Sequence, residues 1–257
     1  MKFIKKLIEK LVFAVVWFFT AVLEKAAEVS INLLVRQGMI LTAISLPNGA
    51  LVAIASGYGA EKDMTAVSNA NPGVATLEAS HGITVGNIME ITSGWSRLTD
   101  KIVRAGTPST NDIPLEGIDT SLTSIYPAAG GAGTIREVTG WTQLSQILSS
   151  TSNGGEQQFL EYQLLEADAK KRIPTFKNPA GLSFSIADDP TLPGYILASQ
   201  ANDDRLKRAV SITLPSGAVI YYNAYISLNK TPSLTVNEIM AVEVTLSLLA
   251  EPVRYAS

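Results

Sequence analysis

The chain has 257 residues, 46% of them hydrophobic, so it can bury a core as one large domain or two smaller ones. Its net charge of -3 at pH 7 argues against a surface that grips nucleic acid tightly, because such surfaces need clustered lysine and arginine. The chain has no cysteine and a single histidine, His81, which excludes disulfides, thiolate nucleophiles and metal sites built from cysteine or histidine clusters. We therefore expect no bound metal or cofactor.

Residues 1–38 differ in character from the rest of the chain. Four lysines precede an uncharged run at 11–23, and no glycine or proline occurs before Gly38, which predicts one long hydrophobic helix. The run is shorter than the ~20 apolar residues that span a bilayer. Four interpretations stay open: a helix that lies on a membrane or self-associates, a membrane span, a signal peptide and a core helix. We place a domain boundary here, with a helical extension at 1–38 and a β domain at 39–257.

The segment from Met39 to Ala105 contains short strands separated by turns. Apolar runs on both sides of Asn48-Gly49 predict a hairpin, because Asn-Gly suits the tight turn between two strands. Further strands are predicted at 65–68, 74–79, 88–92 and 101–105, with a turn at 69–73. This spacing is typical of a β-sandwich or barrel.

The segment from Gly106 to Gly133 is rich in proline and glycine and has no regular period. A stretch this long without regular structure is usually functional or disordered. We expect it to be mobile in the free subunit, yet it carries large apolar side chains that need a partner surface. The alternative is a strand-loop-strand excursion packed on its own domain. The apolar side chains are Ile113, Leu115, Ile118, Leu122, Ile125 and Tyr126.

The second half begins with mixed signals and ends with a clear sheet. A strand is predicted at 134–138, then a short helix with Trp141, Leu144, Ile147 and Leu148 on one face, then a polar loop at 149–155. Strands follow at 157–165 and 182–187. A helix is predicted to start at Asp188-Asp189-Pro190 and to cover the sheet through Ala201. Alternation at 208–214, 218–228 and 240–248 predicts an antiparallel meander.

The residues that carry chemistry in other proteins have structural explanations here. The glycine-rich stretch at 128–134 lacks the Lys-Ser/Thr pair of a phosphate loop, so we interpret it as a flexible loop. His81 lies beside Gly82 and suits a turn. The adjacent carboxylates at 188–189 and 203–204 suit capping and solvation, and Trp95 and Trp141 suit core or interface anchors. These residues do not form a catalytic set, and we expect a protein that is not an enzyme.

Several stretches in order along the chain carry a resemblance to a known family. The sequence from about Met39 to Tyr255 resembles the major tail tube proteins of long-tailed, non-contractile bacteriophages. The stretches are SNANPG at 68–73, ASHG at 79–82, SGWS at 93–96, EGIDT at 116–120, GAGTIREV at 131–138, WTQ at 141–143, GGEQQF at 154–159, ADDP at 187–190 and NKTP at 229–232.

The resemblance implies an antiparallel β-sandwich with a flanking helix. It implies six subunits in a ring whose inner sheets join into one barrel, and rings stacked into a virion tube through which double-stranded DNA passes without tight binding. Tape measure, terminator and tail-tip proteins would be partners, with assembly in the host cytoplasm. The six apolar residues at 113–126 would then contact the neighbouring ring. A secreted or surface-anchored carbohydrate-binding sandwich is the alternative.

Overall fold

The computed structural model describes residues 48–256, which form a mainly antiparallel β structure with one helix in that range. The predicted N-terminal helix and the first strand of the predicted hairpin lie outside the described residues. No helix within 48–256 is long and apolar enough to cross a membrane. The elements are β1 (Leu51–Tyr58), β2 (Lys62–Val67), β3 (Val74–Leu77), β4 (Ile88–Ser93), β5 (Ile102–Arg104), β6 (Asp112–Pro114), β7 (Gly133–Leu144), β8 (Ile147–Gly154), β9 (Gln157–Tyr162), β10 (Lys171–Lys177), β11 (Ala180–Ala187), α1 (Pro193–Asp204), β12 (Arg208–Thr213), β13 (Val219–Asn229), β14 (Ala241–Leu248) and β15 (Val253–Tyr255).

The long strand β7 joins two groups of strands. One group consists of β2 to β6, and the other consists of β1, β8 and β11 to β15. The first half of β7 pairs with β2 and β4, and its second half pairs with β1. The hydrogen-bonded order across the sheet is β6-β3-β2-β7-β1-β12-β13-β14-β11-β8, with β5 beside β4 and β15 beside β13. The predicted meander at the C-terminus is confirmed, since β12, β13 and β14 are consecutive antiparallel neighbours.

Two main cores lie on opposite faces of the central strands. On β1, Val52 and Ile54 join one buried cluster, which also contains the inward side chains of β11, β13 and β14. Ala55 joins a smaller cluster on the opposite face, beneath β4 and β5. The alternation of side chains along a strand therefore builds a core on each side. The second main core surrounds Trp95 and Tyr126, whose rings meet edge to face at 5.2 Å between centroids.

Helix α1 covers the first of these cores, as the sequence predicts. Leu197, Ala198 and Ala201 face the sheet and are buried in it. Gly194 is required here, because a Cβ at this position would lie 2.4 Å from the carbonyl oxygen of Gln143 on β7. The helix begins at Pro193 rather than at Pro190, and no side chain caps it.

The predicted capping role of the carboxylates before α1 is therefore wrong. Asp189 instead accepts hydrogen bonds from the hydroxyl and the backbone N–H of Thr191, which lower the pKa of this exposed carboxylate. A short side chain that bonds the backbone two residues ahead stabilises a turn before the helix. The Asp188-Asp189-Pro190 signal thus predicted the existence of the helix, whereas the helix begins three residues after Pro190.

Two further predictions are wrong. The helix predicted around Trp141–Leu148 and the polar loop predicted at 149–155 are strands: residues through Leu144 continue β7, and Ile147–Gly154 form β8. Seven residue pairs join the serine-rich β8 to β11, from Ala180↔Gly154 to Ile186↔Ile147, with one shift in register after Ser185. Strand β10, which contains Pro174, was missed. Pairing with a neighbour overrides weak local preference in both cases.

A buried carboxylate links the two groups of strands. Glu90 on β4 is 2% exposed and accepts hydrogen bonds from Arg136 on β7 and from the Asn223 side chain on β13. The ammonium of Lys207 lies 2.9 Å from the same carboxylate and 2.8 Å from Asp100. Burial disfavours the charged form of Lys207, but the hydrogen bonds to Asp100 and Glu90 outweigh it and raise the pKa of the lysine.

Replacing this carboxylate should destabilise the fold strongly. Glu90→Ala leaves Arg136, Lys207 and Asn223 without their shared acceptor, and we expect the free energy of unfolding to fall by roughly 3–5 kcal/mol. The matched control is Glu116→Ala, which removes an ion pair with Arg104 whose side chains are more than a third exposed and should cost no more than about 1 kcal/mol. Urea denaturation measures both values. Equal, small losses would show that the buried network does not hold the two groups of strands together.

Candidate assembly surfaces

One highly exposed part of the described residues is a two-stranded arm formed by β9, β10 and the turn between them. The arm is a separate sheet with no described strand beside it. All seven residues of β10 are exposed. Six large apolar side chains of the arm are exposed: Phe159, Leu160, Leu164, Leu165, Ile173 and Phe176.

Pairing within the arm places apolar side chains on both of its faces. Leu160 lies opposite Ile173, and Phe159 lies opposite Pro174. Because adjacent pairs point to opposite faces of a ribbon, neither face is purely polar. A two-stranded ribbon is at best marginally stable in water, and the ion pairs of this one, Arg172 with Glu161 and Lys177 with Glu251, are exposed and contribute little. The arm therefore needs a surface outside itself to bury its apolar side chains.

A second exposed apolar surface is the loop between β13 and β14. Residues 233–240 are all exposed, and the loop is closed by a hydrogen bond from the Ser233 N–H to the Ala241 carbonyl. Its apolar side chains are exposed by between 51% and 85% of their area. Clustered exposed apolar side chains of this kind mark interaction sites. They are Leu234, Val236, Ile239 and Met240.

The outer face of β13, β14, β11 and β8 is polar and concave. On β14 the core receives Val242, Val244 and Leu246, so Glu243 and its alternating neighbours face away from it. A cavity of about 500 Å³ lies along this face. The face carries hydroxyls, amides and one carboxylate, and no lysine or arginine belongs to it. It consists of Ser149, Thr151, Asn153, Gly181, Ser183, Ser185, Tyr225, Ser227, Asn229, Glu243, Thr245 and Ser247.

Strand β8, at the end of the sheet beside the polar face, presents an edge that pairs with no other described strand. An edge strand exposes unpaired N–H and C=O groups, which suit pairing with another chain. β8 is polar from Ser149 to Asn153, and all but its first residue are exposed. At the far end of the sheet the outer edge of β6 is occupied, because the Gly106 N–H donates to the Pro114 carbonyl and the Ser109 N–H to the Asp112 carbonyl. The subunit thus combines an arm, an apolar loop and one open edge.

The structure places most of the predicted contact residues inside the subunit. Ile113, Leu115, Ile118 and Tyr126 are buried in the core around Trp95, and Ile125 packs against that core. Only Leu122 is strongly exposed. The segment is held by hydrogen bonds such as that from Leu115 N–H to the Gly73 carbonyl at 2.8 Å. The structure agrees with the alternative that this segment packs on its own domain, and a contact between rings through it stays a prediction.

The remaining candidate residues have local structural contacts. The His81 imidazole accepts a hydrogen bond from the Ile83 N–H and lies in a turn where Gly82 has a φ of +68°. The indole N–H of Trp95 donates to the Pro127 carbonyl, and a Cβ at Gly130 would lie 2.9 Å from that nitrogen, so the glycine-rich stretch packs closely over the ring. Within residues 48–256, no group of three or more histidine, aspartate or glutamate side chains is placed to hold a metal ion.

These features define the class of protein: a β-sheet subunit whose exposed arm, apolar loop and free β8 edge suit association with other subunits. A family model described as phage tail tube protein, TTP, matches residues 93–257, which is more than half of the chain. The chain therefore belongs to the phage tail tube protein family, a family of structural proteins of the phage tail.

Solved structures of injection systems share limited similarity with the chain. The sheath/tube terminator of the extracellular contractile injection system PVC, in its extended state, is 15% identical, with a TM-score of 0.35 over 44% of this chain and 87% of that one. A chain of the PVC sheath-tube complex is 20% identical, with a TM-score of 0.32 over 42% and 80%. The tube-terminating cap of the anti-feeding prophage is 18% identical, with a TM-score of 0.33 over 45% and 83%. TM-scores this low do not establish a shared fold. No curated protein sequence matches the chain.

Hydrogen exchange should separate the arm from the segment around Leu115. In free subunits we expect fast exchange at 157–177, because a lone ribbon opens easily, and slow exchange at 113–118, because Ile113, Leu115 and Ile118 are buried in the core around Trp95. Upon assembly the arm amides should slow and those at 113–118 should change little. The opposite pattern, with the protection gained at 113–118, would restore the prediction of a contact between rings through that segment.

Proposed function

We propose that this protein forms hexameric rings that stack into the tail tube of a phage and conduct the genome into the host. The observation that supports it best is the family match combined with a subunit that exposes six large apolar side chains on its arm and four more on the loop between β13 and β14. A soluble monomer with such an arm lacks a partner for it, whereas a polymer supplies one from each neighbouring subunit.

The polar face of β13, β14, β11 and β8 is the surface suited to line the conduit. Duplex DNA binds proteins mainly through its phosphates, and each lysine or arginine that contacts a phosphate strengthens binding. This face offers hydroxyls and the carboxylate of Glu243 instead. Sixfold repetition would place a ring of carboxylates in the lumen, which repels phosphates and allows DNA to slide.

The other partners follow from the family resemblance. Tape measure, terminator and tail-tip proteins would contact the ends or the interior of the tube, with assembly in the host cytoplasm and the product in the virion. Residues 1–38, which lie outside the described part of the chain, would provide a membrane or self-association contact. The domain that begins at Met39 would assemble without them.

Negative-stain microscopy tests the proposal directly. We expect rings or tubes with sixfold symmetry from the full chain and also from a chain that starts at Met39, because the arm and the polar face both lie after that residue. Monomers that bind glycans on an array would support the carbohydrate-binding alternative and would contradict the tail tube function. Failure of only the shorter chain would place residues 1–38 in the assembly unit.

Cysteine labelling tests which face lines the lumen. Because the chain has no native cysteine, only the introduced residue reacts. Ser247→Cys lies on the polar face, and Gln200→Cys lies on α1, which covers the opposite face. Both should react with a bulky maleimide in free subunits. In tubes, Gln200→Cys should still react and Ser247→Cys should be protected, while a small maleimide reaches both. Labelling of Ser247→Cys along intact tubes by the bulky reagent would exclude this face from the lumen.

A further inference from the structure

A basic cleft lies where the arm meets the body of the subunit. Its volume is about 450 Å³. The arm contributes Gln157, Thr175, Phe176 and Lys177 to it, and the body contributes residues that follow Trp95 and β14. The cleft thus lies between the arm and the core around Trp95, to which Tyr126 belongs. The body residues are Ser96, Arg97, Lys101, Tyr126, Leu249, Ala250 and Glu251.

The charges in the cleft are unbalanced. It contains three cationic side chains, Arg97, Lys101 and Lys177, and the single carboxylate of Glu251. Lys177 contacts Glu251, and the pKa of this carboxyl is lowered chiefly by that hydrogen bond. Arg97 and Lys101 form no ion pair with any described carboxylate. Burial lowers the pKa of Lys101, with the carboxylate of Glu251 opposing this shift and Arg97 reinforcing it.

The turn at the tip of the arm has the complementary chemistry. The turn comprises residues 163–170, Gln-Leu-Leu-Glu-Ala-Asp-Ala-Lys, in which Leu164, Leu165, Glu166, Asp168 and Lys170 are exposed, so its two carboxylates outnumber its one cation. A hydrogen bond from the Gln163 side chain to the Ala167 carbonyl at 3.0 Å holds the turn. Two leucines and two carboxylates on one short turn match a cleft that offers the rings of Tyr126 and Phe176 beside unpaired cations.

The tip cannot occupy the cleft of its own subunit. Gln157 lies at the cleft, and the five residue steps of β9 to Tyr162 carry the chain roughly 17 Å away from it. We propose that the acidic tip of one subunit's arm docks in the basic cleft of a second copy. This inference rests on the proposed function and specifies its contact: one surface of each subunit binds a different surface of the next, the arrangement that builds rings and stacks.

Charge reversal tests the contact in the full chain. Glu166→Lys with Asp168→Lys should raise the concentration needed for assembly at least about tenfold, because like charges at an interface cost more than the free energy of a tenfold change. Arg97→Glu with Lys101→Glu should do the same, and a chain with all four changes should assemble again. Glu78→Lys, an exposed reversal outside both surfaces, is the control and should assemble normally.

The outcomes distinguish this contact from the proposed function. Normal assembly by both reversed pairs would overturn the docking contact and leave the tail tube function standing. The docking contact would also be overturned if each reversed pair impairs assembly and the chain with all four substitutions does not assemble either, provided that circular dichroism shows folded subunits. A wild-type chain that never assembles would overturn both.

Disulfide trapping provides an independent test. Ser96→Cys in the cleft and Ala169→Cys at the tip should give a ladder of covalent oligomers on oxidation, because bonding requires the two Cα atoms to approach within roughly 7 Å. Ala169→Cys paired with Ser216→Cys, in the turn between β12 and β13, is the matched control and should give no ladder beyond background. Equal ladders from the two pairs would overturn the contact.

Discussion

The packing of helix α1 against the sheet determines which surfaces of the subunit remain free. The helix lies within backbone contact of β7 at Gly194, where a side chain would collide with the Gln143 carbonyl. It buries the apolar face that β11, β13 and β14 share, through Leu197, Ala198 and Ala201. Because alternate side chains of a strand point to opposite faces, this packing leaves the polar face of the same strands in solvent. A polar conduit wall and a buried core are thus two consequences of one alternating pattern.

Much of this arrangement could be predicted from the sequence. The pattern at Val242, Val244 and Leu246 fixes both the strand and its buried face, and the meander follows from it. The serine-rich strand β8 could not be predicted, because its residues have weak strand preference and are held by pairing with β11. Ile113 and Leu115 were expected to need an outside partner. They instead fill the core around Trp95, and only contacts distant along the chain show this.

The second strand of the arm, β10, escaped prediction for a related reason. Pro174 interrupts the pattern of β10, and proline is tolerated there because the ribbon has no further strand on that side within the described residues. The first strand of the arm was predicted at 157–165, but its apolar residues Phe159 and Leu160 do not distinguish it from a strand of the core. Exposure, which sequence does not report, distinguishes a core strand from an interaction surface.

The two groups of strands and the arm differ in how firmly they are held. The buried carboxylate of Glu90 binds three donors: Arg136 on β7, Asn223 on β13 and Lys207. These contacts resist separation of the two groups of strands. The arm has two exposed ion pairs, Arg172 with Glu161 and Lys177 with Glu251, and no core of its own. If the arm orders only on a neighbouring subunit, its ordering entropy, about 1–2 kcal/mol for each backbone residue, opposes the first contacts of assembly. Contacts with an existing ring are made with a surface already in place, so growth from an end is favoured over spontaneous nucleation.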